Sequence, residues 1–161
     1  MSHVLEHLVA PERVLAAIRE VLAPGGLLVV RVPNLECLLF HLLGKHYIEL
    51  YPDVHLFHFT RSTLHRILSR QGYTVQEIRT RQCDFAPESF VLVKGFLDAL
   101  RIYERVRPPE STPTTVAQSR RSRARSLLAP LYPLTYPLWA VTARLGLGYE
   151  LFAVARTTQS K

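Results

Sequence analysis

Cysteine is scarce in this chain. Cys37 and Cys83 are its only two, and they form no C-x-x-C. That excludes a disulfide framework and a thiolate zinc site, and it suits reduced thiols in a cytoplasmic protein. The opening residues lack a basic stretch followed by an apolar core, so no signal peptide is expected. No uninterrupted apolar run reaches the roughly 18 residues of a membrane-crossing helix. There are seven glycines, and none forms the G-x-G-x-x-G loop that cradles phosphates. Gly25-Gly26 and Gly146-x-Gly148 stand in other contexts. No internal repeat is present. Acidic residues are also short, 13 against 20 Lys and Arg. The excess is local: seven arginines oppose only Glu104 and Glu110 between residues 101 and 125. The remainder is close to neutral and carries no general nucleic-acid footprint.

What is present is an ordinary globular composition, 48% hydrophobic and 20% charged. At 161 residues the chain is long enough for one domain with a real core. Its organising stretch is Leu22-Ala23-Pro24-Gly25-Gly26-Leu27-Leu28-Val29-Val30-Arg31-Val32-Pro33-Asn34. Pro24 cannot continue a helix, and the glycine pair permits positive φ in a tight turn. Leu27 to Val32 is nearly continuous apolar, which predicts a strand covered on both faces in a parallel sheet. Pro33 ends the ladder and leaves Asn34 at the carboxyl edge, where open α/β sheets place their ligands.

Pro11 suits the first turn of a helix. Val14, Leu15, Ile18, Val21 and Leu22 then fall on one stripe, predicting an amphipathic helix over 11–22. A short helix is expected near Leu38–Leu43, then a loop rich in aromatics and histidine. Thr60 is a good N-cap for a helix over 61–71 that ends at Gly72, and 73–80 alternates as a strand. Pro87 begins another expected helix, running to about Arg105. Residues 107–126 read as a loop or disordered segment. Residues 127–143 are apolar but broken by Pro130, Pro133 and Pro137. Residues 149–156 read as a last strand, and 157–161 as a polar tail.

His3-Val4-Leu5-Glu6-His7 fits H-x-x-E-H. On a helix, His3 and His7 would share a face and bind zinc, with Glu6 as base of a hydrolase. Pro11 follows almost at once, and no further acidic ligand stands out on a capped helix, so no metal ligand is assigned.

The order of these pieces resembles class I S-adenosylmethionine-dependent methyltransferases of the small-molecule type. Those pieces are Ser2-His3-Val4-Leu5-Glu6-His7, the Pro-started helix, Leu22-Ala23-Pro24-Gly25-Gly26, a strand ending Val32-Pro33-Asn34, and His55-Leu56-Phe57-His58-Phe59-Thr60 before a helix ending at Gly72. The resemblance covers 1 to about 80 and again 149–156. It implies an α/β, Rossmann-like methyltransferase sheet represented by its last three strands, with a mainly helical insertion before the final strand. Residues 27–32, 73–80 and 149–156 would be the fifth, sixth and seventh strands, the last inserted antiparallel beside its neighbours. Residues 1–80 would be the carboxyl-terminal part of the core. Residues 81–148 would be an insertion, either a substrate lid or a membrane-facing segment.

The family's Gly-rich cofactor loop and its ribose-binding acid have no counterpart here. The resemblance therefore implies a partial methyltransferase (transferase class EC 2.1.1) that is inactive alone. It would use S-adenosylmethionine to methylate a small-molecule or lipid- or sugar-linked acceptor. The alternative is a non-catalytic homologue whose partner chain supplies the missing half. Ser2 and His3 would lie beside the cofactor, with His3 lining the pocket and Glu6 and His7 shaping the turn. His55 and His58 would face the acceptor, His55 as base or orienter. The other reading of both is aromatic-like packing. Asn34 would bond substrate or cap the chain turn. The Arg run and the Tyr- and Trp-bearing apolar segment after it make 119–145 a candidate for a membrane surface, with a packed lid as the alternative. Arginine far outnumbers lysine, which points to a GC-rich bacterial genome.

Overall fold

The structure, a computed structural model, describes residues 1–47, 49–50, 54–82 and 132–157. The helix expected from Pro87 and the Arg-rich loop lie outside the described residues. So does Cys83.

A single 3-10 turn, Leu5–His7, precedes helix α1, Pro11–Val21. Pro11 opens α1 where its missing N–H is no loss. Leu15 is fully buried, and Ile18 and Leu22 pack beside it. Val21 is 83% exposed, so the apolar stripe is narrower than its spacing suggests. The helix stops at Val21, and the extended backbone of Leu22 carries the packing instead. Gly25, at φ +71°, makes the turn into strand β1, Leu27–Pro33.

Beyond β1 come α2 (Leu38–Leu43), a 3-10 turn (Gly44–His46), α3 (Arg61–Arg70) and β2 (Tyr73–Arg81). Thr60 caps α3 as expected. Its Oγ1 accepts from Thr63 N at 3.1 Å, while its own N donates to Thr63 Oγ1 at 2.8 Å. Gly72 leaves α3 at φ +78°. Arg19 of α1 donates from Nη1 to Gln71 O at 2.9 Å and ties the two helices together there.

The last elements are α4 (Tyr132–Arg144) and β3 (Glu150–Thr157). Pro133 and Pro137 do not break α4. Pro133 falls in its first turn, and Pro137 forfeits a single backbone bond that the flanking turns outlast. Thr157, expected in the tail, belongs to β3 and donates its N–H to Gly26 O at 3.1 Å.

The three strands form one sheet in the order β1-β3-β2, and β3 runs antiparallel to both neighbours. β1 is therefore not the doubly covered parallel strand that its composition predicts. Its inward residues Leu28, Val30 and Val32 are buried under α1 and α3 with Leu15, Leu64 and Leu68. Each fully buried leucine contributes about 1.5–3 kcal/mol. Ala153 and Ala155 on the central strand, both fully buried, keep that face low enough for the helices to sit close. On the other face Leu27 and Val29 are exposed. The outer edge of β1 is not bare. Met1 N donates to Val29 O at 2.8 Å, and Met1 O and His3 N bond the backbone of Arg31, both at 3.0 Å. This makes a short parallel bridge between Ser2 and Arg31. A second cluster of Cys37, Leu39, Tyr47, Trp139 and Tyr149 joins α2 to α4.

Candidate functional site

The carboxyl end of β1 gathers most of the expected site residues. The 3-10 turn of Leu5–His7, the loop around Val54–Phe59 and the start of β3 meet there, with Phe57 N donating to Glu6 O at 3.1 Å.

Arg31 and Glu150 sit on adjacent strands as diagonal neighbours, since Arg31 faces Phe152 and Pro33 faces Glu150 in the register. Glu150 is fully buried. Its Oε2 accepts from Arg31 Nη2 at 2.6 Å and Nε at 3.2 Å, and its Oε1 meets His3 Nε2 at 3.1 Å. The carboxylates of Glu150 and then Glu6 raise the His3 pKa to about 9, against the opposing pull of burial. His3 is therefore a cation at neutral pH, held by two acids. Its backbone takes φ +51°, a left-handed conformation that histidine tolerates better than most side chains.

H-x-x-E-H does not form the helix that a hydrolase reading requires. Only Leu5–His7 turns, and His3 lies outside that turn, engaged with Glu150. The residues that offer ligand atoms to one point are instead Glu6, His7 and His55, all within 4.8 Å of one another. His7 Nδ1 bonds Val54 O at 2.7 Å, and His55 Nδ1 bonds Glu49 O at 2.8 Å. A carbonyl only accepts, so both rings carry their proton on Nδ1 when neutral and present a bare Nε2. The two rings pack edge to face at 4.8 Å. Glu6 is 1% exposed, and neither of its carboxylate oxygens receives a hydrogen bond among the described residues. Its near neighbours are charge contacts, His3 Nδ1 at 3.3 Å and His7 Nε2 at 4.0 Å from Oε1.

His58 Nε2 reaches the same Glu49 carbonyl at 3.2 Å, so Glu49 holds both histidines of the loop. The Glu49 side chain continues the network to Tyr149 Oη and to His55 Nδ1, 3.3 Å from Oε2. Ser2 contributes its backbone to the edge bridge, and its side chain is exposed.

Asn34 is at the predicted strand end. It is fully buried. Its Nδ2 donates to Gly148 O at 2.8 Å and Gly146 O at 3.5 Å, and its Oδ1 accepts from Glu36 N at 3.0 Å. These bonds fit the turn-holding one of its two expected roles. It pins the loop before β3 to the end of β1.

Sequence reasoning missed Glu49, Glu150 and Arg31. Arg31 carried a signal: a charged residue inside a buried apolar strand requires a partner, and Glu150 stands at the head of the expected last strand. Glu49 carried none, because its role depends on a loop closing on two distant histidines.

The cavity lined by Pro33, Leu35, Tyr47, Glu49, His55, Phe57, His58 and Phe59 measures about 10 Å³. A nucleoside-sized ligand needs about 300–1,000 Å³. The described residues therefore do not enclose S-adenosylmethionine, and no chemical step through it follows from them. An open groove of about 700 Å³ between α3 and β2 is lined by Glu36, Arg61, Ser62, His65 and Val75–Ile78. It shares no residue with the histidine cluster.

A family model described as a methyltransferase domain matches residues 1–78. No curated protein matches the chain. The matched span holds the bridge at Ser2, the Glu6–His7 turn, α1, β1, the His55–His58 loop, α3 and most of β2. Over residues 1–78 this chain is therefore similar to a methyltransferase domain.

Proposed function

We propose that this chain supplies the acceptor-side half of a methyltransferase that moves a methyl group from S-adenosylmethionine to a small-molecule or lipid- or sugar-linked acceptor. The observation that carries the reading is the placement of β3, antiparallel between β1 and β2, together with the family match over 1–78. The resemblance implies a last strand inserted antiparallel beside its neighbours, and β3 fits that expectation. Methyl transfer depends chiefly on aligning the acceptor with the methyl donor. His55 and His58, fixed through Glu49, stand at the carboxyl edge as orienting groups for an acceptor hydroxyl or amine, and His3 lines the same edge. The water-sized cavity there supports the further reading that the chain alone is inactive and that a cofactor pocket is completed by residues beyond those described.

The test is label transfer from tritiated S-adenosylmethionine. It compares the 161-residue chain alone with the assembly captured from source cells on the tagged chain. The expected result is no transfer by the chain alone and transfer into an extractable acceptor by the assembly, reduced tenfold or more by His55→Gln. Transfer by the assembly that His55→Gln leaves unchanged supports the alternative, a non-catalytic partner subunit. No transfer by either preparation overturns the methyltransferase reading.

A further inference from the structure

Glu6, His7 and His55 come from two separate segments and offer three ligand atoms within 4.8 Å of one another. Each feature of the trio is what a metal requires. Both histidines have Nδ1 committed to a backbone carbonyl, Val54 O at 2.7 Å and Glu49 O at 2.8 Å. That outer contact fixes the tautomer and aims Nε2 as the ligand. His55 has a carboxylate behind it as well, Glu49 Oε2 at 3.3 Å from Nδ1. A carboxylate second partner of this kind orients a ligating imidazole. The third member, Glu6, is buried to 1% exposure, and neither oxygen receives a well-formed hydrogen bond among the described residues. Burying a carboxylate without donors is costly unless a cation compensates it. His3, 3.3 Å from Oε1, supplies part of that compensation from one side only.

We propose that Glu6, His7 and His55 form a site for one divalent transition-metal cation of the zinc type. Two imidazoles and one carboxylate match the borderline softness of such ions, whereas magnesium and calcium favour oxygen-only shells. Ligand distances of about 2.0–2.2 Å around zinc need the three side chains to draw together. Side-chain rotation supplies this, since His7 is on the exposed side of the trio with room to turn. Three protein ligands leave a fourth position for water or a small oxygen ligand. His3 is not a ligand. Its two ring nitrogens face Glu6 and Glu150.

Metal uptake is measured with no cofactor or acceptor present, so its outcome is independent of methyl transfer. The experiment titrates the EDTA-treated full chain with zinc chloride against a chromophoric chelator, and repeats it with cobalt(II) followed by its visible absorption. One equivalent of zinc should bind. His55→Gln and His7→Gln should each weaken binding by about 10–100-fold or more. His41→Gln and His65→Gln, on exposed helix positions away from the trio, should leave it unchanged. His7 is exposed, so its substitution is read on a folded chain, checked by an unaltered circular dichroism spectrum. No stoichiometric zinc uptake overturns the proposal. So does uptake that His55→Gln and His7→Gln leave within twofold of the parent.

Discussion

His3 and Glu150, 147 residues apart in the chain, meet at 3.1 Å between Nε2 and Oε1. This contact closes the Met1–His3 segment onto the head of the final strand. It also makes stability depend on pH. The folded pKa of His3 is about 9, above its ordinary value of 6.5. A raised pKa means that the folded state holds the proton more tightly than the unfolded chain does. The stabilisation is complete below pH 6.5 and is lost as pH rises through 9. Thermal unfolding in metal-free buffer should therefore show the melting temperature falling between pH 6.5 and pH 9.5. His3→Gln should flatten that decline. An equal decline in the variant would contradict the assignment.

Glu150 has no exposure and compensates two cations, Arg31 and His3. Removing one member of a buried ion pair costs about 3–5 kcal/mol, because the remaining charge stays buried and unpaired. Glu150→Gln should destabilise by that order in urea unfolding. The double variant with Arg31→Leu should recover part of the loss. Additive losses would show that the two side chains act independently.

Asn34→Ala should cost about 1–3 kcal/mol, since it strands the Gly148 carbonyl and the Glu36 N–H. The effect should fall on stability and not on acceptor affinity. Denaturant midpoints measured beside methyl-transfer KM in the assembly separate the two. A raised KM with an unchanged midpoint would restore the substrate-binding role.

On α4, Trp139 and Thr142 are buried while Tyr136, Leu138 and Val141 are exposed, as is Leu145 just after the helix. That outward apolar face, with the Arg-rich run before it in sequence, suits an anionic lipid surface. No helix among the described residues is long and apolar enough to cross a membrane. The chain should co-float with anionic liposomes, and Leu138→Glu with Val141→Glu should abolish this at unchanged helix content. Equal flotation of parent and variant, or none by the parent, would favour the packed lid.

The elements legible in the sequence were those set by local chemistry. Pro11 and Thr60 mark helix starts, Gly72 marks a helix end, and the alternation after Tyr73 marks a strand. Each depends on neighbours a few residues away. The single-faced burial of β1 was not legible, because which face of an apolar strand is covered depends on how distant helices pack. α4 was masked by its prolines, which local rules count as breakers and which helix position makes tolerable. The candidate site was half legible. His3, His55 and His58 announced themselves as titratable groups at a strand edge. Their anchors, Glu49 and Glu150, lie in unrelated segments, and the pairing of His7 with His55 arises only when the loop folds over the first turn.

Tritiated S-adenosylmethionine transfer by the assembly isolated on this chain separates a methyltransferase half from a subunit with no part in methyl transfer. Label should appear in an extractable acceptor, fall tenfold or more with His55→Gln, and be absent with the 161-residue chain alone. An assembly that binds and transfers no label would contradict the methyltransferase reading.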